Sequence, residues 1–201
     1  MSNYIAVLDL EVTCNIINQP TDGEIIEFSC VIYKIGLTGL TREAEFQHFV
    51  KPVQNHILSD FCKRLTNITQ QTVNKAKTFP DVHADFQQFI APFMTNDNDT
   101  IILTCGSWGH CIQKELKLHS IPLTPIFSRY INIKREFAHF YRFDEIGMIG
   151  MMRHLQLPII GHSHRAIDDC RNTGSIAQRM VKDGFNIYDS YINEITVLTD
   201  S

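Results

Sequence analysis

The chain lacks the features that mark membrane and secreted proteins. No apolar run in its 201 residues reaches the ~18 residues of a membrane span. The first residues, MSNYIAVLDLE, carry no basic segment and reach an acidic residue too early for a signal peptide. We therefore expect an intracellular protein of the cytoplasm, with the nucleus as the alternative compartment, and no membrane partner.

Cysteine pairs are missing as well. The six cysteines are scattered and none lies in a CxxC motif, so their spacing indicates neither a zinc site nor a redox pair. In a reducing compartment, cysteines of this kind behave as small buried apolar residues. We expect that behaviour of all six, which are Cys14, Cys30, Cys62, Cys105, Cys111 and Cys170.

The chain has no excess of basic charge. Its formal net charge of -4 argues against a protein that coats long nucleic acid by releasing counterions. A cleft that holds a few nucleotides through metal ions is compatible with this charge. With 44% hydrophobic and 20% charged residues, no repeats and no linker, the sequence predicts one folded domain over residues 1–201.

The order of strand and helix patterns predicts a mixed α/β sheet. Residues 7–14, 24–35 and 44–50 have the composition of strands, and GLTGLT after the second predicts an antiparallel meander. The later elements are a helix that begins at Phe79-Pro80 and ends near Pro92, a buried strand TIILTC, a helix over residues 108–118, a strand over 131–133 and a last helix that stops at Gly184. This order is typical of a ribonuclease H-like fold, with about five strands flanked by helices.

The first predicted strand carries two carboxylates in an otherwise apolar stretch. In VLDLEVTC, Asp9 and Glu11 are two residues apart, so a strand projects both side chains to the same face. Like charges this close repel unless a cation lies between them, and carboxylate oxygens favour Mg²⁺ or Mn²⁺. An edge strand with its polar face in water is the alternative, and it is the commoner explanation of an isolated DxE pattern.

A second acidic motif opens the last helix. In HRAIDD, His164 lies five residues before Asp169. A carboxylate in the first turn is stabilised by the helix dipole, so Asp168 or Asp169 could simply cap the helix. Taken with the first strand, the set is a carboxylate pair, a distant carboxylate and a histidine able to act as a base near neutral pH.

These motifs resemble the DEDDh 3′-5′ exonucleases, and in particular the Eri-type exoribonucleases. The resemblance spans nearly the whole chain, in the segments DLEVTC, EIIEF, KPVQNHILSDFCKRLTNIT, TFPDV, GSW, YINI and GHSHRAIDDCRN. It implies a metal-dependent nuclease that removes 5′-mononucleotides from RNA 3′ ends. Single-stranded DNA is a second expected substrate.

The resemblance also implies a two-metal site. Asp9, Glu11 and Asp169 are expected to hold one Mg²⁺ or Mn²⁺ ion that binds the attacking water. Asp9 is expected to bridge to a second ion that stabilises the leaving 3′ oxygen. His164 is expected to take the proton from the water.

Substrate contacts are expected next to this site. By the resemblance, Glu11, the backbone of Val12 and His164 meet the terminal nucleotide. Basic residues that could contact phosphates are Lys63, Arg64, Lys134, Arg135 and Arg165. Arg165 is the preferred candidate because it lies between His164 and the start of the last helix. We expect Trp108 to pack beneath the sheet end rather than stack on a base.

One position departs from the family pattern. The family has a fourth carboxylate, an aspartate directly after Ser-Trp, whereas GSWGHC has Gly109 there. Glu115 lies about 240° further around a helix and should face elsewhere, and the adjacent His110 is a nitrogen ligand that suits Mn²⁺ better than Mg²⁺. Three explanations remain open: an active exonuclease with a weakened or rebuilt second metal site, an inactive relative that binds 3′ ends or protein partners, or a glycine introduced to disable an active parent. We favour the first.

Overall fold

The structure is a computed structural model that describes residues 3–15, 23–94, 100–106 and 108–195. Its strands are β1 Tyr4–Val12, β2 Ile25–Gly36, β3 Gly39–Lys51, β4 Lys77–Thr78, β5 Thr100–Thr104, β6 Arg129–Asn132 and β7 Asn193–Glu194. Its helices are α1 Asp60–Thr66, α2 Gln70–Asn74, α3 Phe79–Ile90, α4 Gly109–Leu118, α5 Ile133–Tyr141, α6 Met148–His154 and α7 Ala166–Lys182. None of the helices in these residues is both long and apolar enough to cross a membrane.

The strands form one mixed sheet in the order β4-β3-β2-β1-β5-β6-β7. β1, β2 and β3 are antiparallel neighbours, which confirms the predicted meander. β5 and β6 continue the sheet parallel to β1. The five longer strands agree with the expected number, and the two edge strands β4 and β7 were missed because two-residue strands leave no pattern in a sequence.

Helices cover both faces of the sheet. The first nine residues of β2 are buried, as expected for a central strand. Alternate residues of β1 serve two different cores, so that Ala6 and Leu8 pack towards α3 and α4 while Ile5 and Val7 pack towards α5, α6 and α7. β1 is thereby held in one register, with its carboxyl end fixed.

Close packing also fixes α7 against the sheet. A Cβ atom on Gly174 would lie 2.1 Å from the hydroxyl oxygen of Tyr33 on β2, so only glycine permits this approach. The helix starts at Ala166, directly after a loop in which Gly161 and His164 have positive φ angles. The first turn of α7 therefore reaches the end of β1.

Most predicted boundaries agree with the structure to within one or two residues. α3 begins at Phe79 and ends at Ile90, with Pro92 in the 3-10 turn that follows. The strand expected at residues 131–133 is β6, which ends at Asn132 because the Asn132 side chain caps α5. The six cysteines are free thiols, three of them buried and three partly buried.

Candidate active site

A cleft at the carboxyl end of β1 brings the predicted site residues together. Asp9 and Glu11 from β1 line it together with His164 and Asp169 from the start of α7. One ligand atom from each of Glu11, His164 and Asp169 lies within 4.8 Å of the other two. In the part of the chain that the structure describes, this is the one group of three such side chains able to share an ion.

This group differs in one member from the expected ligand set. Asp9 lines the same cleft but lies outside the close group, and His164 takes its place in it. His164 adopts a left-handed backbone conformation, with φ of 63°. Its backbone N–H donates a hydrogen bond to Asp169 Oδ2 at 3.0 Å. That hydrogen bond holds the imidazole and the carboxylate on the same side of the cleft.

The other acidic residue of the motif organises the loop before α7. Asp168 Oδ2 accepts a hydrogen bond from the N–H of His162 at 3.0 Å. A Cβ atom on Gly161 would lie 2.1 Å from the Asp168 carboxylate, and its φ of +63° also favours glycine. The Asp168 carboxylate therefore accepts a hydrogen bond from the loop and does not cap the helix. His162 is not among the residues that line the cleft.

A buried glutamate that sequence reasoning left without a role anchors α7 beside β1. Glu27 on β2 is fully buried and lies opposite Glu11 in the strand register. Its Oε2 atom accepts hydrogen bonds from the Arg165 side chain at 3.2 Å and from the Ala166 N–H at 3.1 Å. A charged residue inside the apolar run EIIEF was the available signal, because a buried carboxylate requires a partner.

Arg165 is thus committed to a structural contact that was not expected. Its Nε pairs with Glu27, and its guanidinium carbon lies 5.2 Å from the centre of the Phe49 ring. The phosphate contact assigned to Arg165 stays a prediction, as does the nucleotide contact of the Val12 backbone. The Val12 carbonyl accepts a weak hydrogen bond from the thiol of Cys62 at 3.7 Å.

Burial dominates the electrostatics of the cleft. It raises the pKa of Asp9 well above its usual value, and the nearby Glu11 and Asp169 carboxylates add to the effect. Burial also raises the pKa of Glu11 to about 8 and that of Asp169 to about 6. Each carboxyl group would be stabilised in its ionised form by a nearby cation.

The donor set fits a divalent ion. Oδ1 of Asp169 is buried and has no hydrogen-bond partner among the described residues, although buried carboxylate oxygens normally have one. Oxygen ligands of this kind suit Mg²⁺ or Mn²⁺, and the nearby imidazole nitrogen is better suited to Mn²⁺. Burial and the charge of His162 lower the pKa of His164, which leaves its imidazole neutral and able to accept a proton at neutral pH.

Gly109, where the resemblance predicts the fourth carboxylate, has the end of the Ile195 side chain packed against it. It is the first residue of α4, is buried, and a Cβ atom on it would lie 2.9 Å from Cδ1 of Ile195. Glu115 does face elsewhere: it is buried and accepts a hydrogen bond from the Ile25 N–H at 2.7 Å. His110 is exposed and does not line the cleft.

Several further residues line the cleft, and among them sequence reasoning had named only Lys134 for the site, as a possible phosphate contact. They are Cys105 after β5, Lys134 in the first turn of α5, and Met148 and Ile149 at the start of α6. Burial raises the pKa of Cys105 to about 12, so its thiol stays protonated. Lys134 was one of several basic candidates, and only the fold shows that it lines the same cleft as the carboxylates. Trp108, as expected, is buried and packs edge-on against Phe127.

Comparison with known proteins shows the family to which the fold and the cleft belong. The chain belongs to the RNase_T family, whose profile is described as Exonuclease and matches residues 6–177. The predicted DEDDh, Eri-type resemblance and the ribonuclease H-like fold are thereby confirmed.

Individual relatives make the relationship more specific. Human 3′-5′ exoribonuclease 1 is 34% identical over 191 residues, which are 90% of this chain and 53% of that protein. The 3′-5′ exonuclease crn-4 of Caenorhabditis elegans is 31% identical over 196 residues, which cover 91% of this chain and 64% of the relative. The nuclease domain of 3′hExo, a DEDDh family member bound to rAMP, superposes with a TM-score of 0.88 at 32% identity and covers 97% of this chain and 98% of that domain. The chain thus spans between half and two thirds of the length of these two relatives.

Proposed function

We propose that this chain is a metal-dependent 3′-5′ exoribonuclease that releases 5′-mononucleotides from RNA 3′ ends. The observation that carries the proposal is the convergence of Glu11, His164 and Asp169 in one cleft of an exonuclease-family fold. A protein 28% identical, with a TM-score of 0.86, is described by its 3′-end specific recognition of a histone mRNA stem-loop. That description supports RNA 3′ ends as the substrate, and single-stranded DNA remains the second candidate.

The residues of the cleft divide the chemistry between them. Asp9, Glu11 and Asp169 would hold Mg²⁺ or Mn²⁺, which when bound lowers the pKa of water and neutralises charge on the phosphate. His164 accepts the proton of the attacking water, because its lowered pKa keeps it neutral and Asp169 fixes its backbone. Glu11 and the Val12 backbone position the terminal nucleotide.

A second candidate function follows from Gly109. Because no carboxylate is present at this position and Ile195 covers it, an inactive relative that binds RNA 3′ ends or protein partners is the alternative. We favour the enzyme because the described structure keeps Asp9, Glu11, His164 and Asp169 in one cleft. We propose the cytoplasm or the nucleus as its compartment, where the six cysteines would stay reduced as free thiols.

Digestion of end-labelled RNA separates these functions. An oligoribonucleotide labelled at its 5′ end should give a ladder of products shortened one residue at a time with Mg²⁺ or Mn²⁺. The same RNA labelled at its 3′ end should release labelled mononucleotide first, and chelator should stop both reactions. His164→Ala should abolish the ladder, whereas His162→Ala, in the same loop but outside the cleft lining, should retain it. Retained 3′-end binding without turnover would support the inactive relative, and internal cleavage products would contradict the proposal.

A further inference from the structure

Lys134 lies in the cleft and has no ion-pair partner in the part of the chain that the structure describes. The Asn132 side chain fixes its place by accepting hydrogen bonds from the N–H groups of Lys134 and Gly106, each at 3.2 Å. Its side chain lines the cleft with the three carboxylates. In the residues 3–15, 23–94, 100–106 and 108–195, no ion pair engages its ammonium group. Beyond the effect of burial, the charge of Asp9 raises the pKa of the nearby Cys105 thiol, and the charge of Lys134 lowers it. The lysine is therefore close enough to act electrostatically on groups in the cleft.

The position expected to carry the fourth carboxylate supplies no metal ligand, and an apolar side chain packs against it. Ile195 covers Gly109, and the Ile195 N–H donates to the carbonyl of Ser128 at 2.8 Å. This hydrogen bond and the adjoining strand β7 hold the isoleucine in place. Position 109 therefore offers the site no carboxylate, and the nearest side chain outside its own helix is the hydrocarbon of Ile195.

Charge balance then favours one divalent ion over two. Three carboxylates line the cleft, since the charge of buried Glu27 is already balanced by Arg165. One divalent ion and one ammonium group neutralise three carboxylates, just as two divalent ions would neutralise four. The ammonium group of Lys134 would repel a second divalent ion beside it. Asp9 is the one carboxylate of the cleft that lies outside the close group of Glu11, His164 and Asp169, so it would be the only carboxylate left to bind that ion.

We propose that Lys134 takes the place of the second metal ion, so that the site works with a single divalent ion. This inference rests on the proposed function and names a further catalytic residue for it. Water attacks the phosphorus and gives its proton to His164, and the bond from phosphorus to the 3′ oxygen breaks. The electron pair remains on the 3′ oxygen, which Lys134 stabilises by a charge-assisted hydrogen bond until solvent protonates it.

The first test counts ions and needs no turnover. Mn²⁺ is titrated into the full chain, and binding is measured as the loss of the electron paramagnetic resonance signal of free Mn²⁺. Binding should saturate at one ion per chain. Lys134→Met should still bind one ion or more, because it removes a positive charge and no ligand. Two ions bound by the unaltered chain would overturn the inference, even if the chain degrades RNA from its 3′ end as proposed.

The second test measures the phosphate contact directly. An oligonucleotide with an uncleavable 3′-terminal phosphorothioate linkage is bound in chelator at several salt concentrations. Lys134→Met should weaken binding and lower the slope of log affinity against log salt by about one, as expected for one lost phosphate contact. The matched control is Lys34→Met, because Lys34 is exposed on β2 opposite Tyr4, at the far end of β1. Equal slopes in the two variants would overturn the inference.

The third test asks whether the contact matters to the reaction. Lys134→Met should lower single-turnover cleavage about 100-fold to 1000-fold, as removal of one transition-state donor does, while Lys134→Arg recovers part of the rate. Melting temperatures equal to that of the unaltered chain show that the variants are folded. If the unaltered chain shows the Lys134-dependent slope but cleaves nothing, the catalytic role is overturned together with the proposed function, and the phosphate contact stands.

Discussion

Protonation of two cleft residues links the stability of the protein to metal binding. Burial raises the pKa of Glu11 from 4.5 to about 8 and that of Asp169 from 3.8 to about 6. At a pH between the ordinary and the raised pKa of either residue, the folded chain binds more protons than the unfolded chain. The free energy of unfolding therefore falls as pH rises through this range. A bound divalent ion reverses the preference because it stabilises the ionised carboxylates.

Thermal unfolding between pH 5 and pH 8 tests this linkage. Without metal, we expect the melting temperature to fall across this range, since the stabilisation is complete below pH 4.5 and is lost as pH rises through about 8. Saturating Mg²⁺ or Mn²⁺ should remove most of the fall, and Glu11→Gln should reduce it in the metal-free chain. A metal-free melting temperature that does not change with pH would contradict the assigned pKa values.

The pH dependence of cleavage reports on His164. A base must be neutral, and burial lowers the pKa of His164 below its ordinary value of 6.5. We expect the acid limb of log kcat/KM at saturating Mn²⁺ to lie below that value. Because the charge of His162 contributes to the shift, His162→Gln should move the limb to higher pH. A profile that is flat from acid to neutral pH would exclude His164 as the base.

At the scale of elements, the approach of α7 to β2 depends on one buried ion pair. Glu27→Gln removes the charge that Arg165 requires and should lower the free energy of unfolding by about 3 kcal/mol, as breaking a buried pair does. The matched control is Glu45→Gln, whose partner Arg171 is 31% exposed, and it should cost about 1 kcal/mol or less. Urea unfolding measures both, and equal losses would contradict the anchoring role of Glu27.

The contact between α4 and the segment after β7 controls position 109. Gly109→Asp alone should add less activity than the double variant with Ile195→Ala, because its Cβ atom would begin 2.9 Å from Cδ1 of Ile195 and this end of the side chain must move. Ile195→Ala alone should not add a metal ligand. The double variant should bind a second Mn²⁺ ion that neither single variant binds, a coupling that a double-mutant cycle measures. A sharp gain from Gly109→Asp alone would show that Ile195 does not constrain the site.

Local patterns made part of this architecture predictable. The meander, the start of α3 at Phe79 and the DxE and HRAIDD motifs all depend on residues close in sequence, whose spacing fixes the face they occupy. The pairing of Arg165 with Glu27 joins residues 138 positions apart, and the cover of Gly109 by Ile195 joins two distant elements. Such contacts depend on how the elements pack, which sequence spacing does not encode.

On the scale of the whole molecule, the sheet carries the site at one edge between two cores. The strands β1, β5 and β6 are parallel, and their carboxyl ends meet at the cleft. Asp9 lies in β1, Cys105 directly follows β5, and Lys134 lies two residues after β6. Clefts at the carboxyl ends of parallel strands are the usual ligand sites of open α/β sheets. The helix α7 then adds Asp169 from the face that packs on β1 and β2.

One measurement tests most directly whether these elements form one active cleft. It is single-turnover cleavage of a 5′-labelled oligoribonucleotide by the unaltered chain and by the variants Asp169→Asn and Asp168→Asn. Asp169 has a buried carboxylate oxygen in the cleft without a partner among the described residues, whereas Asp168 bonds to the preceding loop and pairs with Arg171. We predict stepwise 3′-to-5′ shortening by the unaltered chain, a loss of about 1000-fold or more for Asp169→Asn and a much smaller loss for Asp168→Asn. Equal rates for the unaltered chain and Asp169→Asn would contradict the account.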